Sequence, residues 1–537
     1  MGTLWRFRWR PRGDFCLLSA VPACSQSVCA RDVFIHQEMH RGYFRGIQAS
    51  IRITAAANTE MIAVLREMNP WWRGDRVGDL PTWRREAFAE LELWLRTPPA
   101  PRAVLLSGAR QIGKTTLFLQ VIEVLIAGGV NPRNILYITF DHPLLKLAGL
   151  ENVLRLWRET EEREPGLEYL FVDEIQFFGD WQTWVKHQVD FHKERRIALT
   201  GSATPLATDG LESGVGRWHT IRLATLSFYE FLRIRKSEEP GLPNLSSLSR
   251  LFEWRDGDFA RAGESAGPLV VQFHEYLQRG GFPQCALAPS VTWAQKLLRE
   301  DIVDKVLKRD MTALFGVRRV VELEHTFLYL CLHDGGLLDM QALSRNLGVK
   351  KPTASHFIEL LATVHLIHKL SPLGYGKEVL RARHKAYLSD GAIGPSVLSK
   401  GRALLTDDKL LGRAVETAFF KHVFTRLYDS CAKFTFWRGK RDAEVDIVAE
   451  VEGGRLVPFE VKYRGQKTGP ADLAGMLEFC VTKKVRRGYV ITRHLADFGP
   501  LHLHEGGEDI RLMKIPAALA CYWLGRSELE SGDHGEA

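Results

Sequence analysis

The sequence predicts an α/β protein whose first large domain is built on a parallel sheet. Three observations lead to this prediction. The apolar run AVLLS at 103–107 leads directly into the glycine-rich stretch GARQIGKTT, and an apolar pattern with helical spacing follows. A second apolar run ends at the acids of YLFVDEIQ, and a third, IALTGSAT, ends in small hydroxyl residues. Strands that end in such residues are typical of parallel sheets with functional loops at their carboxyl edge.

Length and composition indicate several ordinary globular domains. Of the 537 residues, 45% are hydrophobic and 25% are charged. Lys plus Arg number 72 against 64 Asp plus Glu, and this net charge of +8 permits contact with nucleic acid without requiring it. The eight cysteines form no CxxC pair, which is typical of reduced thiols. No apolar run approaches the ~18 residues of a membrane span. We therefore expect a cytoplasmic protein without a membrane partner.

Residues 1–60 are predicted to be a disordered extension. They open with the basic stretch WRFRWRPRGDF and contain the short apolar run FCLLSAVPAC, a pattern that loosely resembles a secretion signal. Asp14 interrupts that pattern and the apolar run is barely long enough, so a disordered extension is favoured. Met39 and Met61 are candidate alternative starts, and regular patterning begins near MIAVLREMNPWW.

A phosphate-binding loop is predicted between the first strand and its helix. Gly108 and Gly113 enclose four residues, and Lys114 and Thr115 follow. The glycines let backbone N–H groups turn toward phosphates, Lys114 can reach the β and γ phosphates, and Thr115 can supply a hydroxyl to Mg²⁺. The helix N-terminus adds favourable partial charge. The predicted nucleotide-binding residues are Gly108, Ala109, Arg110, Gln111, Ile112, Gly113, Lys114, Thr115 and Thr116.

Two acids follow the second strand. Asp173 and Glu174 come after the apolar stretch YLFV, and Asp173 lies 59 residues beyond Lys114 (173 − 114). In a parallel sheet, this strand end and the phosphate loop share one edge. We expect Asp173 to complete the Mg²⁺ shell and Glu174 to polarise the attacking water.

Four further side chains are candidates for contact with the γ-phosphate. Thr200 or Ser202, at the end of IALTGSAT, could sense the phosphate, and a plain Ser/Thr turn explains them equally well. Arg217 or Arg222 could act as an arginine finger, in this chain or for a neighbouring subunit. A surface arginine is the commoner explanation for either residue.

Taken together, these motifs resemble a large bacterial and archaeal group of AAA-type ATPases. The resemblance rests on the glycine loop, FVDEIQ, LTGSAT, LSFYEFL and the stretch NPWWRG at 69–74, and it covers most of the chain from about residue 61. It implies a P-loop NTPase domain at 61–235 that binds ATP with Mg²⁺ and hydrolyses it. It also implies a C-terminal domain of uncharacterised function. The sequence shows no guanine-specificity motif, in keeping with adenine.

The middle of the chain is predicted to contain four segments. Residues 236–268 are polar and rich in Gly, Pro and Ser, which indicates a surface loop or linker. A helical lid is expected at 269–320, a winged helix at 321–375 and a connector at 376–401. The winged helix could contact DNA or serve as a plain interaction module. Its candidate DNA contacts are Lys350, Lys351, Thr353, Ser355 and His356.

The last segment, 402–537, is predicted to be a second α/β domain with a hairpin of two strands. If the turn is the three-residue loop 452–454, Asp446 lies opposite Glu460, and Glu444 lies opposite Lys462. All four side chains then share one face of the sheet. A two-residue loop at 453–454 would instead disperse them.

Paired carboxylates repel each other unless a cation lies between them, and Mg²⁺ suits such a site. The pattern Asp446, then Glu460-x-Lys462, with Glu416 on a preceding helix, resembles the PD-(D/E)XK nuclease superfamily, which has the restriction-endonuclease-like fold. The resemblance implies cleavage of phosphodiesters by Asp446, Glu460 and Lys462, with a metal held by Glu416, Asp446 and Glu460. Two alternatives remain open. The segment could be an exposed charged hairpin, or a nuclease-like fold that only binds.

The sequence thus favours an ATPase that acts on DNA or RNA and carries a metal-dependent nuclease-like site. The alternative is an ATP-controlled binding switch whose C-terminal domain is inactive and recognises a protein or nucleic-acid partner. A second copy of the chain is a further candidate partner.

Overall fold

The computed structural model describes residues 55–203, 216–374, 379, 382–428, 433–440 and 443–533, together with two short strands near the N-terminus. The chain forms two units, Met1–Val64 and Leu65–Ala537. In the first unit, strands β1 (Phe7–Arg8) and β2 (Cys16–Leu17) pair antiparallel. The predicted disordered extension 1–60 falls mostly outside the described residues and stays a prediction.

The first domain contains a sheet of five parallel strands. They are β3 (Ala103–Ser107), β4 (Ile135–Thr139), β5 (Glu168–Asp173), β6 (Arg195–Gly201) and β7 (Trp218–Arg222). The order across the sheet is β4-β5-β6-β3-β7. Nearly every residue of β3, β4 and β5 is buried, as expected for a parallel sheet covered on both faces. The β3 strand, which leads into the glycine loop, lies between β6 and β7.

Between residues 55 and 235, the described residues form seven α-helices. They are α1 (Ala55–Met68), α2 (Ala87–Arg96), α3 (Lys114–Ala127), α4 (Pro143–Ala148), α5 (Leu150–Thr160), α6 (Trp181–Phe191) and α7 (Phe228–Ile234). The α7 helix begins in a capping box in which the Ser227 hydroxyl accepts from the Glu230 N–H and the Glu230 carboxylate accepts from the Ser227 N–H. The stretch LSFYEFL therefore marks a helix start.

The stretch NPWW covers the outer strand of the first sheet. Asn69 pairs with the backbone of Tyr137 in β4, donating to its carbonyl at 2.9 Å and accepting from its N–H at 2.7 Å. The indoles of Trp71 and Trp72 both donate to the carbonyl of Ile135, at 3.2 and 2.8 Å. An edge strand leaves backbone groups unpaired, and these side chains satisfy them.

The prediction of a surface linker at 236–268 is wrong. The segment contains a 3₁₀ helix, Leu248–Glu253, and helix α8 (Asp256–Ser265). Its apolar side chains are buried in the main core, and these include Leu242, Leu245, Leu248, Leu251 and Phe252. Leucines at every third position give this polar-looking segment an apolar side, which its high Gly, Pro and Ser content concealed.

The segment expected to be a lid is helical. It contains α9 (Gly267–Arg279), α10 (Pro283–Ala286), α11 (Val291–Leu297), the wide π-helical turns Leu298–Asp304 and Val306–Asp310, and α12 (Met311–Phe315). The next helices are α13 (Val320–Leu332), α14 (Met340–Leu347) and α15 (Lys351–Thr363). Asp339 caps the start of α14, and Gly348, at φ 64°, ends it. The assignment of 321–375 as a winged helix stays a prediction.

A second, eight-stranded sheet occupies the C-terminal half of the chain. Its strands are β8 (Ile367–Pro372), β9 (Lys385–Leu388), β10 (Lys433–Arg438), β11 (Glu444–Val451), β12 (Arg455–Lys462), β13 (Arg487–Thr492), β14 (Gly499–Glu505) and β15 (Glu508–Pro516). The order is β14-β15-β13-β12-β11-β10-β8-β9. The helices of this half are α16 (Ile393–Val397), α17 (Asp408–Tyr428), α18 (Ala474–Lys483) and α19 (Ala517–Asp533).

This sheet crosses two of the predicted domain boundaries. The β8 strand lies in the predicted winged helix 321–375, and β9 lies in the predicted connector 376–401. Nevertheless, β8 pairs parallel with β10 and antiparallel with β9. The segment 376–401 is therefore part of the second sheet and not a plain connector.

One hydrophobic core joins the two halves of the larger unit. Phe231 of α7, Phe419 of α17 and Trp523 of α19 are all buried in it. Of the helices that the structure describes, none combines the length and the apolar character needed to cross a membrane.

Candidate functional site

The glycine loop connects β3 to α3 in a conformation that needs its glycines. Gln111 and Gly113 lie in the left-handed region, at φ 59° and 97°. A Cβ atom on Gly108 would lie 2.1 Å from the carbonyl oxygen of Leu223, which follows β7. Only glycine lets the loop pass this close to that backbone.

Lys114 opens α3, and its side chain is directed back into the loop. Its Nζ donates to the carbonyls of Gly108 at 3.0 Å and Ala109 at 2.8 Å. Burial lowers the pKa of the Lys114 ammonium, while the charges of Glu174 and Asp173 oppose that shift. A buried ammonium held by two loop carbonyls is suited to bind phosphate oxygens in their place.

Asp173 is the centre of a hydrogen-bond network at the carboxyl edge of the sheet. Its carboxylate accepts from the Thr115 hydroxyl at 2.7 Å, the Tyr137 hydroxyl at 3.0 Å and the Thr200 hydroxyl. Burial and Asp173 raise the pKa of Tyr137, so Tyr137 stays a hydrogen-bond donor. The Thr115 hydroxyl and Asp173 carboxylate form an all-oxygen donor set, which fits Mg²⁺.

Glu174 lies next to this network in a strained conformation, at φ 54°. Its N–H donates to the Thr200 hydroxyl at 3.0 Å, and its carboxylate accepts from the Ser202 hydroxyl at 3.2 Å and from Gln176. The structure therefore brings Thr200 and Ser202, the candidate phosphate sensors, beside the two acids. Gln176, which was not singled out, links Glu174 to Ser202.

Arg110 extends from the loop to the helical segment that follows α11. It forms an ion pair with the buried Asp310 at 2.7 Å. Arg309, the neighbour of Asp310, pairs with Asp141 after β4 at 2.8 Å. Both pairs connect the edge of the first sheet to the π-helical turns. Ile112 is fully buried, while Thr116 is partly exposed.

Arg85 supports the loop, although no motif in the sequence marks it. All of its N–H groups have acceptors: the carboxylates of Glu230 and Glu86 and the carbonyls of Ile112 and Ala224. Burial alone would raise the pKa of Glu230, but Arg85 and the hydrogen bonds around it hold the pKa at about 2. This buried pair fixes the loop carbonyl of Ile112.

The suggestion that Arg217 is an arginine finger within its own chain is wrong. Arg217 precedes β7, and its carbonyl accepts from Ala103 at the start of the parallel β3. It therefore lies at the amino edge of the sheet, opposite the glycine loop, where it pairs with Asp190 at 3.0 Å. Arg222 ends β7 at the carboxyl edge, but its guanidinium lies over the ring of Tyr428, 4.3 Å from the centroid. A role for either arginine in a neighbouring subunit stays a prediction.

The second cluster of candidate residues lies on the hairpin of β11 and β12. The loop between these strands has three residues, Glu452–Gly454, and Ile447 pairs with Phe459. This is the register that the three-residue loop predicts, and its continuation places Asp446 opposite Glu460.

The four carboxylate oxygens of Asp446 and Glu460 all accept hydrogen bonds from the chain itself. Asp446 accepts from Lys385 Nζ at 3.3 Å and from the Val461 N–H at 3.0 Å. Glu460 accepts from the Asp446 N–H at 3.3 Å and from Lys462 Nζ at 2.5 Å. The predicted lysine, Lys462, is thus beside its predicted partner.

Glu416 approaches the cluster from α17. It is buried and accepts from the Tyr387 hydroxyl at 2.7 Å. Burial, followed by the charge of Asp446, raises the pKa of Glu416 to about 8, and the same two causes raise that of Glu460 to about 8. The lysines oppose both shifts without cancelling them.

This cluster does not fit a Mg²⁺ ion held by Glu416, Asp446 and Glu460. Within the described part of the chain, no group of three or more His, Cys, Asp or Glu side chains is arranged to hold a metal. The oxygens that a metal would need already have protein donors. Two of these donors are lysine ammoniums, whose charge repels a metal ion, whereas the donors to Asp173 are neutral hydroxyls. One of the two lysines, Lys385, belongs to the segment predicted to be a connector, and nothing in its local sequence marked it.

Family models match three parts of the chain. Residues 100–232 match a model described as an AAA domain, which confirms the predicted AAA-type α/β domain. Residues 270–403 and 411–503 match two models described as domains of unknown function.

Individual relatives are uncharacterised. A protein of Haemophilus influenzae is 27% identical over 311 residues, which cover 55% of this chain and 69% of that protein. A protein of Mycobacterium tuberculosis is 25% identical over 389 residues, covering 71% and 74%. The solved structure of Aeropyrum pernix ORC1 in complex with DNA aligns with 63% of this chain and 97% of its own, at 15% identity. Its TM-score of 0.28 does not establish a shared fold.

Proposed function

We propose that this protein binds ATP with Mg²⁺ at the glycine loop, hydrolyses it, and uses the bound nucleotide to control a C-terminal recognition domain. The observation that carries the proposal is the 2.7 Å hydrogen bond between the Thr115 hydroxyl and Asp173, next to the buried Lys114. Together with the AAA match of residues 100–232, it supports a site for a nucleoside triphosphate and its metal.

Each residue has a distinct task in this proposal. Bound Mg²⁺ would neutralise charge on the β and γ phosphates, with Thr115 and Asp173 as its protein ligands. Lys114 exchanges its two carbonyl acceptors for phosphate oxygens. Glu174 orients the attacking water and accepts its proton, and Thr200 holds the Glu174 backbone in place by accepting its N–H at 3.0 Å.

The proposed control has a physical route through Leu223. The carbonyl of Leu223 lies against the loop at Gly108, and the chain then continues to α7. Leu226 lies three residues after Leu223, and its carbonyl accepts from Lys421 of α17 at 2.6 Å. The Phe228 N–H donates to His422 Nε2 at 2.7 Å. A movement of the glycine loop would therefore displace α17 through these hydrogen bonds.

Helix α17 also carries Glu416, so the route ends at the second cluster. Because Lys421 and His422 are buried, the end of α17 bonded to the first domain cannot shift without breaking these bonds. This arrangement supports a C-terminal domain that responds to the nucleotide.

Recognition of nucleic acid is supported by the exposed cations at the start of α15. Lys350 and Lys351 are exposed there, beside the exposed His356, and lysine ammoniums bind backbone phosphates. The second candidate function is cleavage of phosphodiesters, which is favoured by Asp446 opposite Glu460 with Lys462 beside them. We place binding first because the carboxylate oxygens are occupied by protein donors.

The test combines two variants with labelled DNA and RNA. Lys114→Ala should abolish Mg²⁺-dependent ATP hydrolysis, whereas Glu174→Gln should retain a fluorescent ATP analogue without turnover. Binding of labelled nucleic acid should differ between these two variants when ATP is present, with no cleavage in either or in the unaltered protein. Unchanged turnover in Lys114→Ala would disprove the ATPase assignment. Mg²⁺-dependent cutting that Asp446→Asn removes would favour the nuclease.

A further inference from the structure

Lys385 lies at the centre of the C-terminal charged cluster, although it comes from a distant strand. Its Nζ forms ion pairs with Glu444 and with Asp446, the latter at 3.3 Å. The side chain is only 3% exposed, and the ring of Phe436 lies beneath the ammonium, 5.6 Å from its centroid. A lysine this deeply buried is found where it is paired.

The backbone fixes Lys385 in this position from both sides. On one side, β9 pairs with β8 over Lys385–Leu388. On the other side, the Gly335 N–H donates to the Ala386 carbonyl at 2.9 Å, and the Ala386 N–H donates to the Gly336 carbonyl at 3.2 Å. Two residues further along the same strand face, Tyr387 donates to Glu416 at 2.7 Å. The β9 strand thus supplies two donors to the acidic cluster: Lys385 donates to Asp446, and Tyr387 donates to Glu416.

The ammonium binds one of the two Asp446 oxygens that a bridging metal would need. A metal between Asp446 and its neighbours needs free carboxylate oxygens and repels cations. Here the ammonium binds Asp446 Oδ1, and the Val461 N–H binds Oδ2. The positive charge of Lys385 also attracts Glu444, so a metal ion would have to displace a buried ammonium from two ion pairs.

We propose that the ammonium of Lys385 is the resident cation of this cluster, which holds Glu444 and Asp446 together and takes the place of a metal ion. The C-terminal domain then keeps its acidic residues in register without Mg²⁺. Removal of Lys385 would leave two partly buried carboxylates, Glu444 and Asp446, without their cation, and a divalent ion could enter. This inference does not rest on ATP hydrolysis, and its test uses no nucleotide.

The experiment measures Mn²⁺ binding to the full chain by the loss of the free-ion electron paramagnetic resonance signal. The unaltered protein and Asp446→Asn should bind the same amount of Mn²⁺, because in the unaltered protein Lys385 keeps metal ions out of the cluster. Any Mn²⁺ that both proteins bind is held outside this cluster. Lys385→Met should bind one more Mn²⁺ per chain than the unaltered protein, and Lys385→Met/Asp446→Asn should lose this additional ion. The thermal midpoint of Lys385→Met should rise on addition of Mn²⁺.

The matched control is Lys462→Met, which removes the other lysine of the cluster and should gain no Mn²⁺ site. If Lys385→Met and Lys462→Met each gain the same Mn²⁺ site, the proposal that Lys385 alone replaces a metal is overturned. A well-folded Lys385→Met that gains no Mn²⁺ site would overturn it as well. If Lys385→Met does not fold, Lys385→Gln takes its place in the same measurement. Mn²⁺ binding that Asp446→Asn abolishes would overturn the proposal.

Discussion

Replacement of Arg85 by alanine should be among the most destabilising single changes in the first domain. Arg85 is only 3% exposed, and its partners lie far away in the sequence. Its guanidinium pairs with Glu230 at 2.9 Å and donates to the Ile112 and Ala224 carbonyls at 2.9 Å each. The substitution would leave a buried carboxylate and two carbonyls without these donors.

The size of the effect follows from the ion pair. A Glu230 pKa of about 2, against an ordinary value of 4.5, corresponds to about 3 kcal/mol of stabilisation of the carboxylate. Loss of one partner from a buried pair costs about 3–5 kcal/mol, in agreement. The two carbonyls add roughly 1 kcal/mol each. We expect Arg85→Ala to lower the free energy of unfolding by at least about 4 kcal/mol.

The assay is urea unfolding, with Arg84→Ala as the matched control. Arg84 is exposed and lies over the Phe88 ring at 4.0 Å, so its removal should cost at most about 1 kcal/mol. Because Arg85→Met leaves Glu230 charged and unpaired, adding Glu230→Gln to it should recover part of the loss. An Arg85→Ala protein no less stable than Arg84→Ala would refute this reasoning. So would an Arg85→Met/Glu230→Gln protein whose loss of unfolding free energy exceeds the sum of the losses in the two single variants.

Three further predictions concern the carboxyl edge of the first sheet and its connection to α17. Gly108→Ala should abolish ATP binding, measured by fluorescent-analogue titration, because the new Cβ would meet the Leu223 carbonyl at 2.1 Å. Burial lowers the pKa of His365 to about 3 and of His368 to about 4, so the unfolded chain binds more protons below pH ~6.5 and stability falls as pH drops. His368→Gln should flatten that fall by up to about 1.4 kcal/mol per pH unit between pH 6 and 5, measured by urea unfolding at each pH; an unchanged slope would count against it. His422→Phe should cost about 1–3 kcal/mol by the same assay, since it leaves a buried backbone N–H without its acceptor, and no loss would contradict the hydrogen bond.

The sequence was sufficient to predict the strand, glycine loop and helix because these three features are contiguous. Gly108 and Lys114 lie within one short stretch, and the strand before them and the helix after them have clear apolar patterns. The acids were equally accessible, since Asp173 ends a strand of the same parallel sheet. In contrast, Arg217 lies at the amino edge of the sheet because β7 runs parallel to β3. No local sequence pattern reveals the direction of β7.

The residues that the sequence did not reveal act across long separations. Arg85 meets Glu230, 145 residues away, and Lys385 meets Asp446, 61 residues away. Both lie in segments without a recognisable motif, so only the fold identifies them. The segment 236–268 was misread for a different reason. Its composition is polar, but Leu245 and Leu251 are buried, which shows that spacing and not composition determined its place.

The register of the C-terminal hairpin shows how far a local pattern can reach. Of the two loop lengths that the sequence left open, the three-residue loop 452–454 places Asp446 opposite Glu460, because a hairpin loop fixes every pair along both strands. The count could not include β9, which enters the same cluster from another part of the sheet with Lys385. A pair of carboxylates read from the hairpin alone requires a metal, whereas the same pair with Lys385 beside it has its cation already. The chemistry assigned to this domain therefore depends on a residue outside the motif, and Lys385→Met is the variant that separates the two interpretations.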